Sequence, residues 1–329
     1  MPLFSPRSTH GLPGLVTAPV ARRGVLGWMA MGAAGAALAG CHRAGETLRV
    51  GSQKGGTKAL VEASDALAGA GYRVEWAEFP AAQNLLEAIA SDAVDVGMVG
   101  DGPFAFAYQS GQPIVAVAAR RVENRPAGAL AVVVRAASPA HGMADIAGQK
   151  LATTRGSIGH YLALRALAGA GMAPDAVHFV FLSPSDAAAA LRSGAVAAWA
   201  TWAPYTMLAQ AEGARVIADG RDLLVSTGFD VANARAIDGK RAILTDFLRR
   251  EVVAMRWGLA HPDAYAAVLA RETGMPLAIT AQVARKNAFA PVPLDAALIA
   301  SQREVAQTYA HAGVLALSRP TEQAFRPLL

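Results

Sequence analysis

Short runs rich in apolar and β-branched residues alternate with helical patterns through the first two thirds of the sequence that follows residue 46. Such alternation implies a largely parallel sheet, because parallel strands can be joined only by crossovers long enough to carry a helix. Strands are expected at 47–51, 73–78, 94–99, 114–118, 129–135, 150–153, 177–181 and 195–199. Between them, Leu85, Leu86 and Ile89 share one helical face, as do Leu162, Leu164 and Leu167 within 158–170. From Lys240 the pattern turns helical almost to the end. Ile243, Leu244, Phe247, Leu248, Val252 and Met255 stand at helical spacing there, and Pro262, Pro276, Pro291 and Pro293 punctuate the run. These stripes read as core faces. With 329 residues, 53% of them apolar and 17% charged, the chain can bury two cores of ordinary size. No low-complexity linker separates them, so the extended segments 129–135 and 226–232 are expected to cross between two lobes.

The amino-terminal stretch has a chemistry of its own. Residues 1–41 hold Arg7, Arg22 and Arg23 and no acid, leaving 27 of the 30 basic residues against 25 acidic ones beyond them. The remainder is near neutral, which argues against a nucleic-acid surface, since that needs clustered cations to neutralise phosphates. Arg22 and Arg23 precede an apolar run, 24–38, that ends in Leu38-Ala39-Gly40-Cys41. Charged start, short apolar run and small residues are the layout of a signal peptide, here 1–40. The run is shorter than the roughly 20 residues of a membrane span. Small residues before Cys41 match a bacterial lipobox, in which the thiol is acylated and cleavage makes Cys41 the new terminus. Residues 41–46 would then be a lipidated tether, holding the rest of the chain outside the cytoplasmic membrane. The alternative is a free cysteine behind an ordinary signal peptide. Ala21-Arg22-Arg23-Gly24-Val25-Leu26 also resembles a twin-arginine signal, with Val25 where Phe is usual, so the export route stays open. Because Cys41 is the only cysteine, neither an intramolecular disulfide nor a cysteine-rich metal site can form.

Three strand-to-helix junctions are rich in glycine and small polar residues: Gly51-Ser52-Gln53-Lys54-Gly55-Gly56-Thr57, Gly100-Asp101-Gly102-Pro103, and Thr154-Arg155-Gly156-Ser157-Ile158-Gly159-His160. The first N–H groups of a helix lack internal partners and sit at the positive end of its dipole, so an anion fits there. Glycine turns at helix starts are also common in α/β proteins without any ligand. The first junction imitates a phosphate-binding loop, but Thr57-Lys58 reverses the required Lys then Ser/Thr order, which excludes nucleotide hydrolysis by this route.

Taken in order, the segments Leu48-Arg49-Val50-Gly51-Ser52-Gln53-Lys54-Gly55, Glu78-Phe79-Pro80, Val99-Gly100-Asp101-Gly102-Pro103, Gly156-Ser157-Ile158-Gly159-His160 and Ala198-Trp199-Ala200-Thr201-Trp202-Ala203-Pro204-Tyr205 resemble the periplasmic aliphatic-sulfonate-binding proteins of ABC importers. That group is close to the taurine-, nitrate- and thiamine-precursor-binding proteins. The resemblance spans about residues 47–315. It implies a two-lobed periplasmic-binding-protein-like α/β fold of type II, with mixed, mostly parallel sheets and a hinged cleft. Lobe one is placed at 47–135 plus 225–329 and lobe two at 136–224. It also implies a small anionic ligand, an organosulfonate, delivered to an ABC permease by a monomeric receptor with no cofactor and no metal.

By the same resemblance Gln53, Asp101, Gly102, Ser157, Gly159, His160 and Trp202 occupy ligand-binding positions. Their chemistry allows distinct roles. Gln53 and Ser157 can donate without net charge, the amides near Gly102 and Gly159 can face oxygens, and Trp202 offers a flat apolar wall. Asp101 is better suited to capping a helix or orienting a loop than to touching an anion. His160 can either donate to the ligand or pack inside its helix. Arg155 and Lys54 could bring a full charge to the cleft or stand exposed at strand ends. Two departures bear on the ligand. Ile158-Gly159 replaces an often serine-rich stretch and Ala203 replaces an Asp, which implies a more apolar or roomier pocket. No Ser-His-Asp order, metal-spaced His/Cys cluster or close carboxylate pair stands out among seven histidines and 25 acids, so catalysis is not expected.

Overall fold

The computed structural model describes residues 45–122 and 126–329. The signal peptide, the twin-arginine pattern and Cys41 lie outside these residues. The described residues cluster as one compact unit. Within it the strands form two separate sheets.

The first sheet begins with β1 (Thr47–Gln53), α1 (Thr57–Ala63), β2 (Arg73–Phe79), α2 (Ala82–Ala90), β3 (Val96–Gly100), α3 (Asp101–Gln109) and β4 (Ile114–Val122). The chain then enters the second sheet through β5 (Leu130–Val134), β6 (Lys150–Thr153), α4 (Ile158–Gly169), β7 (His178–Phe181), α5 (Pro184–Ser193), β8 (Ala198–Trp202), α6 (Tyr205–Ala211) and β9 (Arg215–Asp219). It returns with β10 (Thr227–Asn233), α7 (Ala234–Gly239), α8 (Arg241–Ala260), α9 (Pro262–Thr273), α10 (Leu277–Lys286), β11 (Phe289–Val292) and α11 (Ala296–His311). Strand order is β11-β4-β10-β3-β1-β2 in the first sheet and β7-β6-β8-β5-β9 in the second. β1, β2 and β3 run parallel, as do β6, β7 and β8, while β10 and β5 run antiparallel to their neighbours.

The expected helical faces are buried: Leu85, Leu86 and Ile89 form one core with α3, and Leu162 and Leu167 another with Val132, Val134 and Leu151. In α8, Ile243, Leu244, Phe247 and Leu248 pack on β1, β3 and β4. Three expectations need correction. The segment 129–135 does not belong to the first sheet: β5 pairs only with β8 and β9. β10 pairs only with β3 and β4. The lobes are therefore joined by the residues just before β5 and just before β10, and the two strands themselves stay within one lobe each. The strand expected at 195–199 lies at Ala198–Trp202, because Gly194 ends α5 in a left-handed conformation and alanine-rich 195–200 has no pattern to set a start. β9 and β11 were not expected. Both are edge strands, and Pro291 within β11 is tolerated because an edge needs no second ladder.

Candidate functional site

The topology of each sheet selects a crevice. β1 sends α1 toward β2 at one end of the first sheet, whereas the neighbouring parallel β3 sends α3 toward β4 at the other. α1 packs with α8, and α3 packs with α2 on a different core. The connections diverge between the carboxyl ends of β1 and β3, where open α/β sheets take their ligands. Gln53 and the Gly100-Asp101-Gly102 junction stand there. In the second sheet the divergence falls between β6 and β8, which puts the Thr154–His160 junction and Trp202 at the corresponding edge. The two edges meet. A Cβ built on Gly102 would lie 2.3 Å from the Gly156 carbonyl oxygen and 2.9 Å from the Tyr309 hydroxyl.

At the first edge, the Gln53 side chain is half-buried and its amide makes one long approach, 3.5 Å from Nε2 to the Met98 carbonyl. It is otherwise uncommitted among the described residues. Asp101 is buried and ties three elements together. Its Oδ1 accepts from the Gly102 amide (2.7 Å) and its Oδ2 from the Thr227 amide (3.1 Å), while its carbonyl accepts from Gln302 of α11 (2.9 Å). Burial pushes its carboxyl up to about 6, against the backbone hydrogen bonds that favour the charge. Asp101 is thus a loop-orienting group with both oxygens engaged.

At the second edge, Ser157 caps α4, its Oγ accepting from the His160 amide at 3.2 Å. Its own hydroxyl proton is left to donate. The Tyr161 amide bonds the Ser157 carbonyl, so Ile158 and Gly159 carry the first-turn amides of α4 that have no partner among the described residues. Gly159 is also needed for packing: a Cβ there would meet the Ala200 carbonyl oxygen at 2.5 Å, so its missing side chain brings α4 down onto β8. Trp202 is half-buried at the end of β8, edge-on to Tyr205 with ring centres 5.8 Å apart.

His160 departs from these. Its Nδ1 accepts from the Gly156 amide (3.2 Å), and its fully buried ring lies among Phe179, Phe181 and Tyr309. Burial first, and the nearby Arg155 second, lower it to about 4, so the ring is neutral near pH 7 and brings no cation to the edge. Of the two roles open to it, packing is the one its position serves. Arg155 is exposed, with its guanidinium 4.0 Å from the centre of the Phe181 ring.

Sequence reasoning passed over Arg121, Thr227, Gly228 and Tyr309. Gly228 pairs with Gly100 and Thr227 with Arg121, so the start of β10 completes the first edge. Arg121 is half-buried, its Nε 3.2 Å from Thr227 Oγ1, with no carboxylate at ion-pair distance among the described residues. Arg120 is spent elsewhere. It is buried between Asp230 and Glu251, and Glu251 also accepts from the Thr57 hydroxyl at 3.0 Å. Burial pushes the Glu251 carboxyl up. Among the described residues no group of three or more His, Cys, Asp or Glu is placed to hold a metal ion.

The family model described as NMT1/THI5 like matches residues 67–265, more than half of the chain. The chain belongs to that family. Its relatives include an Escherichia coli protein named as aliphatic sulfonates-binding, 32% identical over 269 residues that cover 80% of this chain and 83% of the relative. The crystal structure of the E. coli periplasmic aliphatic sulphonate binding protein SsuA superposes with a TM-score of 0.77 at 30% identity, over 85% of this chain and 97% of that one. The alkanesulfonate-binding SsuA of Xanthomonas axonopodis pv. citri, solved with MOPS, gives the same TM-score at 27% identity, over 85% and 98%. This NMT1/THI5-like chain has the two-lobed periplasmic-binding-protein fold of those structures.

Proposed function

We propose that the chain is the solute-binding component of an ABC importer, an exported receptor that takes an organosulfonate between its two lobes and hands it to the permease. The observation that carries this reading is the meeting of two switch-point edges, one bearing the Arg121 guanidinium, which no described carboxylate pairs, and the other the first-turn amides of α4. Donors at a helix start and a fixed cation suit a compact anionic head, while Trp202 and Tyr205 supply an apolar wall for an organic tail. Gln53, Ser157, Gly159 and Trp202 are the ligand-facing residues in this reading. Asp101 and Gly102 shape the junction, and His160 supports it from behind.

Ligand touching both edges favours the closed arrangement, since only that arrangement supplies both sets of contacts. No turnover is required of such a receptor. The names of the relatives support a periplasmic location, and the lipobox pattern supports a lipid on Cys41. Mass spectrometry of the chain recovered from membranes should find diacylglycerol on Cys41, lost in Cys41→Ser.

The substrate assignment is tested by thermal shift and calorimetry with alkanesulfonates, arylsulfonates, taurine, nitrate and pyrimidines. An alkanesulfonate should raise the melting temperature through preferential binding to the folded state. Stabilisation by a nonsulfonate alone would overturn the sulfonate assignment.

A further inference from the structure

A second concavity of about 420 Å³ lies between the lobes, within the size range of small-molecule pockets. It does not include Gln53, Ser157, Arg121 or Trp202. One wall comes from the first lobe, with Leu86 and Glu87 of α2 and Phe106 of α3. The other comes from the second lobe, with Arg155 after β6 and Phe181 at the end of β7. Gln112, in the turn after α3, closes the lining.

Two charged groups line this space from opposite lobes. The Arg155 guanidinium is laid over Phe181, and neither Arg155 nor Glu87 has an ion-pair partner among the described residues. Two opposite charges therefore face one cavity from opposite lobes without reaching each other. Leu86, Phe106 and Phe181 give the lining its apolar part, and Gln83, Ser110, Thr154 and Ser183 add polar side chains.

We propose that this concavity is a second ligand site, specific for a small zwitterion with an apolar body, such as an aliphatic amino acid. The carboxylate of the ligand pairs with Arg155, whose planar donor fork suits it. Its ammonium is held by Glu87, and its side chain fills the space between Leu86, Phe106 and Phe181. A pure anion satisfies Arg155 but leaves Glu87 unpaired. Because the walls belong to different lobes, an occupant bridges them. Binding here and binding at the switch-point edges then favour the same closed state and strengthen each other.

The test is amide NMR on the chain from Cys41 onward, titrated with L-leucine in the presence and absence of saturating ethanesulfonate. Saturable shifts are expected at 83–87, 154–156 and 181–183, weakened about tenfold or more in Arg155→Gln and in Glu87→Gln. 4-Methylpentanoate and isoamylamine, which each lack one charge, should bind weaker than leucine by a similar factor. Ethanesulfonate affinity measured without leucine should be unchanged in Glu87→Gln, whose altered side chain is exposed. Absence of saturable shifts in these segments overturns the proposal, as do shifts that persist undiminished in both variants or that centre on Gln53 and Trp202. Failure of ethanesulfonate to bind would count against the sulfonate receptor and leave the leucine titration to decide the second site.

Discussion

Arg120 and Arg121 are consecutive in β4 and face opposite sides of the sheet, because side chains alternate along a strand. Arg120 is neutralised in the core by Asp230 and Glu251, while Arg121 reaches Thr227 at the crevice edge with no described carboxylate at ion-pair distance. Its substitution separates the two roles. Arg121→Gln should weaken alkanesulfonate binding about tenfold, the scale of one charge-assisted hydrogen bond, and should flatten the dependence of affinity on ionic strength. Titration calorimetry at two salt concentrations checks both; unchanged affinity would remove Arg121 from the site. His160 makes a pH prediction. Its folded-state value is lowered from 6.5 to about 4, so the unfolded chain binds the proton more readily between those values. The stability it contributes is present above about pH 6.5 and is lost as pH falls toward 4, by about 1.4 kcal/mol per pH unit across that window. His160→Gln keeps an acceptor but does not titrate, so its denaturation midpoints should fall less steeply with acid over that window than those of the parent.

At the scale of elements, the two site glycines do different work. The Cβ of Gly159→Ala would meet the Ala200 carbonyl oxygen at 2.5 Å and Thr153 Oγ1 at 2.9 Å, so α4 must lift from the second sheet. Overpacking of this kind costs about 1–3 kcal/mol, readable in urea denaturation. Gly102→Ala instead strikes the Gly156 peptide of the other lobe and the Tyr309 hydroxyl. The lobes can part to relieve the contact with Gly156, so ligand affinity should fall more than stability does. The reverse order of effects would show that the Gly102–Gly156 approach is not a lobe contact. Tyr309 reinforces this seam: α11 packs on both α3 and α4, and the Tyr309 hydroxyl donates to the Ser157 carbonyl at 2.7 Å. No short motif announces it, since its partners lie about 150 residues away in sequence.

At the scale of the whole molecule, two sheets joined by a pair of connections can rotate about them. Small-angle scattering should show compaction when alkanesulfonate saturates the protein. An unchanged radius of gyration would mean that binding does not act through closure. The same picture accounts for where the sequence misled. Segment 129–135 is extended and apolar, which suits a strand in either lobe, and only its hydrogen bonds to β8 and β9 place it in the second.

The alternating pattern by itself determined the α/β architecture, the glycine-rich junctions and the helical cores, because periodicity and turn chemistry are local properties that a linear reading captures. It also placed Gln53 and Ser157 in strand-to-helix junctions. Tertiary structure alone decided which of the junction groups are free. The resemblance put His160 and Asp101 at ligand positions, while their chemistry left packing open for the first and favoured capping or loop orientation for the second; burial turns the one ring into the core, and backbone amides occupy both oxygens of the other's carboxylate. Arg121 was passed over in the sequence, and it stands apart from Arg120 only because Asp230 and Glu251, both more than 100 residues away, claim that neighbour. Hydrogen-bond partners and burial are set by long-range packing, which the order of residues does not record.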